Sequence, residues 1–160
     1  MIIFCGVPGS GKTTIARIVC QRMIGSVHVQ TDTLRGMIAR PNYNGPESAF
    51  VYDSCVEVAR KALQRGRAAI LDGTFAKNSH RVKAQSALRG QYGRGIVVHV
   101  KCRVETAERR NRSRGGVIVP VERLRGIYAS FEEPLRALRI DTELRPAEAS
   151  AAIVLSALSL

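Results

Sequence analysis

Short apolar runs alternate along this chain with stretches of helical periodicity. Runs over residues 1–5, Val27 to Thr31, Ala68 to Asp72, Gly95 to Lys101 and Leu138 to Asp141 predict five strands. Between them, Ile15, Ile18, Val19 and Met23 mark one apolar helix face. Val51, Cys55, Val58, Ala59 and Ala62 mark another at i, i+3 or i+4 spacing. Asn78 is placed to cap a helix running to about Tyr92, and Pro146 suits the first turn of a terminal helix ending in Ile153-Val154-Leu155. Strands alternating with helices predict an α/β fold with a doubly wound parallel sheet, which binds ligands at the carboxyl ends of its strands.

The turn after the first strand carries the strongest chemical signal. Gly6 to Thr13 read Gly-Val-Pro-Gly-Ser-Gly-Lys-Thr, a complete G-x-x-x-x-G-K-[ST] phosphate-binding loop between a strand and a helix. Gly6, Pro8, Gly9, Ser10, Gly11, Lys12, Thr13 and Thr14 are the expected nucleotide-binding residues. Backbone N–H groups close around phosphate oxygens, Lys12 reaches the β- and γ-phosphates, and the Thr13 hydroxyl can ligate Mg²⁺. The positive end of the following helix dipole falls at the same point. ATP and Mg²⁺ are therefore the expected cofactors.

Three further segments fall where the fold would bring them to that loop. Asp32, at the end of the second strand, is placed to take the proton of an attacking hydroxyl, and Arg35, one helical turn on, to hold an anionic group of the acceptor. An aspartate N-cap with a solvated arginine would be the structural use of the same residues. The strand Ala68 to Asp72 ends in a carboxylate that can contact Mg²⁺ or its waters, or else orient Thr74 and the turn. Arg81, on the next helix, is a weaker candidate for the acceptor. Within Arg103 to Arg114, Arg110 and Arg114 share one helix face. Such a charge run is ordinarily a solvated face, but its place after the fourth strand predicts a lid over about residues 103–119, hinged at Gly115 and Gly116.

Composition bounds what else is present. With 160 residues the expectation is a single domain over 1–160, without room for a second core. No repeat, linker or low-complexity tract appears. No apolar run approaches the length of a membrane span, and the first residues lack the basic start of a secretory signal, so no membrane partner and a cytoplasmic location are expected. Cys5, Cys20, Cys55 and Cys102 are widely spaced and form no zinc-ligand pattern, which predicts free thiols, and the three histidines receive no role. The formal charge of +12 points to an anionic partner. Five of the 25 basic residues are Lys, however, and the arginine excess in an Ala- and Gly-rich chain is equally a compositional bias.

Taken together, Gly6 to Thr14, Asp32-x-x-Arg35, Leu71-Asp72-Gly73-Thr74, the Arg110/Arg114 pair and Phe131-Glu132-Glu133-Pro134 leading to Ile140-Asp141-Thr142 resemble the P-loop kinases related to the kinase domain of phage-type 5′-polynucleotide kinase. The resemblance implies a three-layer P-loop NTPase fold with strand order 2-3-1-4-5 and a nucleotide base held near Thr142 to Pro146. It also implies catalytic roles for Lys12, Asp32 as general base, Arg35 on the acceptor's phosphate, and Arg110 and Arg114 on the transferred phosphoryl group. The expected function is an ATP-dependent phosphotransferase acting on a hydroxyl. The acceptor is either a polynucleotide 5′ end or a small metabolite or antibiotic, and a non-kinase NTPase switch is the reading from another class.

Overall fold

The computed structural model describes residues 1–115 and 117–159. Five strands form one parallel sheet: β1 (Ile2–Cys5), β2 (Val27–Gln30), β3 (Ala69–Asp72), β4 (Ile96–Lys101) and β5 (Leu138–Asp141). Their order is β2-β3-β1-β4-β5, as the resemblance implies. The helices are α1 (Lys12–Arg22), α2 (Thr31–Arg35), α3 (Gly45–Gln64), α4 (Asn78–Ala87), α5 (Val104–Ser113), α6 (Val121–Ala129) and α7 (Ala147–Ser159).

β1 is central, pairing with β3 through Ile3↔Leu71 and with β4 through Ile3↔Val97. Every residue of β1 and β3 is buried, as expected of parallel strands covered on both faces. Alternation along β1 splits the core into two layers. Ile3 and Cys5 pack with Val51, Cys55 and Ala59 of α3 on one side. Ile2 and Phe4 pack with Ile15 and Val19 of α1 and Val154 of α7 on the other. Burial pushes the Cys5 thiol up to about 11 and that of Cys55 to about 12, so both remain protonated packing groups.

Several local expectations need correction. Asn78 is the first residue of α4 rather than its cap; its backbone N–H donates to Glu132 Oε2 at 2.7 Å, a distant carboxylate doing the capping. That helix stops at Ala87, because Leu88 leaves helical geometry and Gly90 turns left-handed. Val58 faces solvent on α3, and Thr31 opens α2 instead of closing β2. The terminal helix continues past Leu155 to Ser159.

The phosphate loop lies close against α5. Gly9 has φ +81°, and a Cβ there would overlap the carbonyl of Ala107 in the first turns of α5. Gly9→Ala combines left-handed strain with a clash against fixed backbone, and is expected to cost on the order of 3 kcal/mol. Urea unfolding of the variant measures this; a loss within error of zero would mean that loop and helix do not pack as described.

Candidate active site

The carboxyl ends of β1, β2 and β3 open into a cleft of about 580 Å³. From the phosphate loop and α1, Gly9, Gly11, Lys12, Thr13 and Thr14 line it. The left-handed backbone at Gly9 and Gly11 bends the loop so that α1 starts at Lys12, leaving that helix's first N–H groups directed at the cleft. Lys12 is largely buried and makes no hydrogen bond or ion pair among the described residues. Gly6, Pro8 and Ser10 do not line the cleft; they are buried and shape the loop from beneath, with Gly6 N–H donating to Thr74 O at 3.1 Å.

Asp72, at the end of β3, is 2% exposed. Its Oδ2 accepts from His28 Nε2 at 3.1 Å, whereas its Oδ1 is buried with no partner among the described residues. A buried carboxylate oxygen without a donor is costly unless a ligand meets it. With the Thr13 hydroxyl on the same cleft it supplies hard oxygen ligands, the donor set that suits Mg²⁺ completed by phosphates and water. Among the described residues no group of three His, Cys, Asp or Glu is placed to hold a metal ion by itself.

His28 belongs to a line of polar contacts that the sequence did not reveal. Thr33 Oγ1 donates to Gln30 Oε1 at 3.0 Å, Gln30 Nε2 lies 3.2 Å from His28 Nδ1 and 3.3 Å from its Nε2, and His28 Nε2 meets Asp72. Alternation in β2 places His28 and Gln30 on one face, and the register Gln30↔Asp72 sets that face beside the carboxylate. Gly73 allows the close approach of this edge, since a Cβ there would lie 2.6 Å from Thr31 Cγ2.

Opposite Lys12, Asp32 is 75% exposed on the first turn of α2 and lines the cleft. Arg114 stands 3.9 Å from its carboxylate and also donates from Nε to Val117 O at 2.7 Å. Arg110 donates to Thr142 Oγ1 at 2.7 Å and Thr142 O at 3.1 Å, while the Thr142 hydroxyl lies 2.9 Å from Ser10 O. That arrangement ties α5, the phosphate loop and the turn after β5 together. The segment after α5 is fastened by the buried Asn111, whose Nδ2 donates to Val119 O at 2.7 Å and whose Oδ1 accepts from Val119 N at 3.1 Å. Glu108 pairs with Arg125 of α6 at 2.6 Å, and that hydrogen bond holds its carboxyl below the ordinary value. Gly115 lines the cleft, and Gly116, the other half of the expected hinge, lies outside the described residues.

Two predicted acceptor contacts are absent from the cleft. Arg35 is turned away: its side chain is 11% exposed, ion-paired with Glu47, donating to Ser48 Oγ at 3.2 Å and stacked 4.7 Å from the Tyr43 ring. Arg81 is fully buried, with its guanidinium donating to the carbonyls of Phe75 and Glu132. Conversely, Arg17 lines the cleft, exposed and without a hydrogen bond or ion pair among the described residues. Its spacing of one helical turn from Thr13 was the available signal.

Replacing His28 by Ala would free Asp72 to rotate and accept other partners. Removal of such an orienting partner typically weakens a metal site about 10- to 100-fold. We expect His28→Ala to raise the Mg²⁺ concentration needed for tight nucleotide binding in that range while leaving metal-free nucleotide affinity within about threefold. Binding of a fluorescent ATP analogue across a Mg²⁺ titration checks this, and an unchanged Mg²⁺ midpoint would contradict it.

Solved structures share the whole fold. The APS kinase CysC of Mycobacterium tuberculosis, in complex with AMPPNP and APS, superposes with a TM-score of 0.79 at 19% identity, covering 99% of this chain and 96% of that one. A sugar kinase from Janibacter sp. HTCC2649 gives 0.74 at 22% identity, covering 97% and 91%. A gluconokinase from Sinorhizobium meliloti 1021 gives 0.70 at 18% identity, covering 99% and 94%. No curated protein matches the sequence. Residues 1–134 match the family AAA_33, described as an AAA domain, and the chain belongs to that family.

Proposed function

We propose that the protein is an ATP-dependent kinase that transfers the γ-phosphoryl group to the hydroxyl of a small molecule. The observation that carries this reading is one cleft lined by Lys12 and Thr13 of the phosphate loop, Asp72, the solvent-open Asp32 and Arg114. A nucleotide-hydrolysing switch would use such a carboxylate on water, so dependence of turnover on an added acceptor separates the two readings. The AMPPNP complex of the similar APS kinase and the names of the similar sugar kinase and gluconokinase support the same assignment.

In this mechanism the loop amides, the α1 N-terminus and Lys12 hold the nucleotide phosphates, and Thr13 with Asp72 would hold Mg²⁺. Held there, Mg²⁺ would supply positive charge that offsets the charge developing on the phosphates. Asp32 accepts the proton of the acceptor hydroxyl as its oxygen bonds to the γ-phosphorus. The bond from that phosphorus to the β–γ bridging oxygen breaks in line, and ADP leaves. Arg110 and Arg114 stabilise the charge spread over the transferred group, and Arg114 also faces the Asp32 carboxylate until the acceptor enters.

A small acceptor suits the site better than the polynucleotide end that the resemblance implies. The cleft holds three arginines, Arg17, Arg110 and Arg114, and Arg35, the residue expected to meet a phosphate of the acceptor, is engaged elsewhere. Some of the remaining basic side chains are paired with carboxylates at the surface, such as Arg22 with Glu148, Arg103 with Glu143 and Arg125 with Glu108.

ATP consumption by the purified protein should depend on an added hydroxyl acceptor; turnover that ignores every acceptor would favour the switch. Lys12→Ala should abolish transfer with an unchanged melting temperature, since its ammonium has no partner within the protein. Asp32→Asn should lower the rate at saturation by roughly 10² to 10⁴ while sparing nucleotide affinity. Loss of Mg-nucleotide binding at an unchanged rate would instead make Asp32 a ligand.

A further inference from the structure

The charge of the acceptor is written into how Arg35 and Glu47 are used. Glu47 is 9% exposed, and its carboxylate lies on the guanidinium of Arg35. Its oxygens also accept backbone N–H groups, Oε1 from Tyr43 at 3.0 Å and Oε2 from Asn42 at 2.7 Å. Burial raises the Glu47 pKa, but these backbone bonds and Arg35 outweigh it and hold the carboxyl below its ordinary value. Glu47 is built into the start of α3, where the Asn44 side chain accepts the Glu47 N–H at 2.8 Å. The left-handed backbone at Tyr43, strained for a residue with a side chain, is held by the same contacts. The arginine one turn beyond the catalytic aspartate thus already holds an anion, and the protein supplies it.

The open cleft points the same way. Its ionisable lining comprises four cations, Lys12, Arg17, Arg110 and Arg114, and two carboxylates, Asp32 and Asp72, a formal surplus of +2. Mg-ATP carries a charge of about −2 at neutral pH, which this surplus matches. A negatively charged acceptor would add an uncompensated anion beside the γ-phosphate and beside Asp32, which must stay ionised to act as base. Recruiting Arg35 to such an acceptor would strand Glu47 as a buried unpaired carboxylate.

Resting on the kinase reading above, we infer that the acceptor is a hydroxyl compound without a negative charge, and that Glu47 is the positioning residue that enforces this by holding Arg35 out of the cleft. Neutral polyols, sugars and uncharged or cationic antibiotics fall in this class; sugar acids, sulfated or phosphorylated nucleosides and nucleic-acid ends fall outside it.

Phosphoryl transfer should be measured on matched acceptor pairs that differ in one anionic group, such as glucose with glucuronate, glycerol with glycerate and a nucleoside with its monophosphate. The neutral member is expected to have the higher kcat/KM by about tenfold or more. Equal use or preference for the anionic member would overturn the inference while leaving the kinase reading intact. If no pair is phosphorylated, sulfate titrated calorimetrically into the protein loaded with Mg-AMPPNP decides the matter. Absence of saturable binding in the millimolar range supports a charge-matched cleft, and a saturable sulfate site lost on Arg35→Met overturns it. ATP turnover indifferent to every acceptor would instead sink the kinase reading, and the inference with it. In the variant Glu47→Gln, which keeps an oxygen for one of the two backbone N–H groups and removes the charge, the neutral-to-anionic ratio should fall about tenfold. A folded Glu47→Gln protein with an unchanged ratio would remove the role given to Glu47.

Discussion

The carboxyl edge of the sheet is organised by one close approach, the backbone of Gly9 against the carbonyl of Ala107. The phosphate loop is thereby held between the sheet from which it rises and the helix that carries the lid arginines. Arg110 lies one turn beyond Ala107, so the same contact sets its distance from the loop. From there it reaches Thr142, whose hydroxyl is also 2.9 Å from Ser10 O. Loop, α5 and the turn after β5 are joined by these contacts, and Arg114, extended just past the end of α5 at Ser113 rather than on one helix face with Arg110, is presented across the cleft to Asp32. Positioning by backbone contact is stiff, and stiffness is what electrostatic stabilisation of a transferring group requires.

Charge in this protein is arranged rather than merely abundant. The formal +12 suggests a polyanion-binding surface, and the side chains divide into three groups. One is paired with carboxylates: Arg35 with Glu47, Arg125 and Arg112 with Glu108, and Arg103 with Glu143. A second, Lys12, Arg17, Arg110 and Arg114, lines the cleft with no close salt bridge apart from the 3.9 Å approach of Arg114 to Asp32. A third, including Arg40, Arg65, Arg89, Arg109, Arg136 and Arg145, is exposed and in no salt bridge among the described residues. Buried and half-buried pairs of the first group shape loops and fasten α5 to α6, with little expected net gain in stability from the exposed pairs. A ligand in the cleft meets the second group.

The parts of the fold legible in the sequence were those set by local pattern. Continuous apolar runs such as Ile2 to Cys5 and Ala69 to Asp72 identify parallel strands because both faces are covered, and the phosphate loop announces itself by its spacing of glycines before Lys12. What stayed hidden depends on which distant group arrives at a given atom. Asn78 looks like a cap, yet Glu132, 54 residues away, takes its N–H. Arg35 looks free, and only folding brings Glu47 onto it. Even so, Asn44-x-x-Glu47 is a helix-start signature that places Glu47 in the first turn of α3. Had it been followed, it would have shown an acid close behind α2. His28 carried no signal at all, because its meaning comes from the register of β2 on β3.

That register has a mechanical consequence. Thr33 and Asp32 sit on the same short helix, and Thr33 begins the hydrogen-bond chain that ends on Asp72. Any shift of α2 that moves Asp32 toward or away from the acceptor must stretch this chain at Thr33, and so changes how Asp72 is held. On the far side of α2, Arg35 is locked to Glu47 and to Tyr43, whose ring also carries Arg123 of α6 at 4.5 Å. The short helix bearing the proposed base is thus tethered toward the β3 carboxylate at one face and to α6 at the other. A carboxylate that is 75% exposed would otherwise have little to fix its position, and these two tethers give Asp32 an orientation without burying it. The fold holds it from behind and leaves its oxygens open to the acceptor.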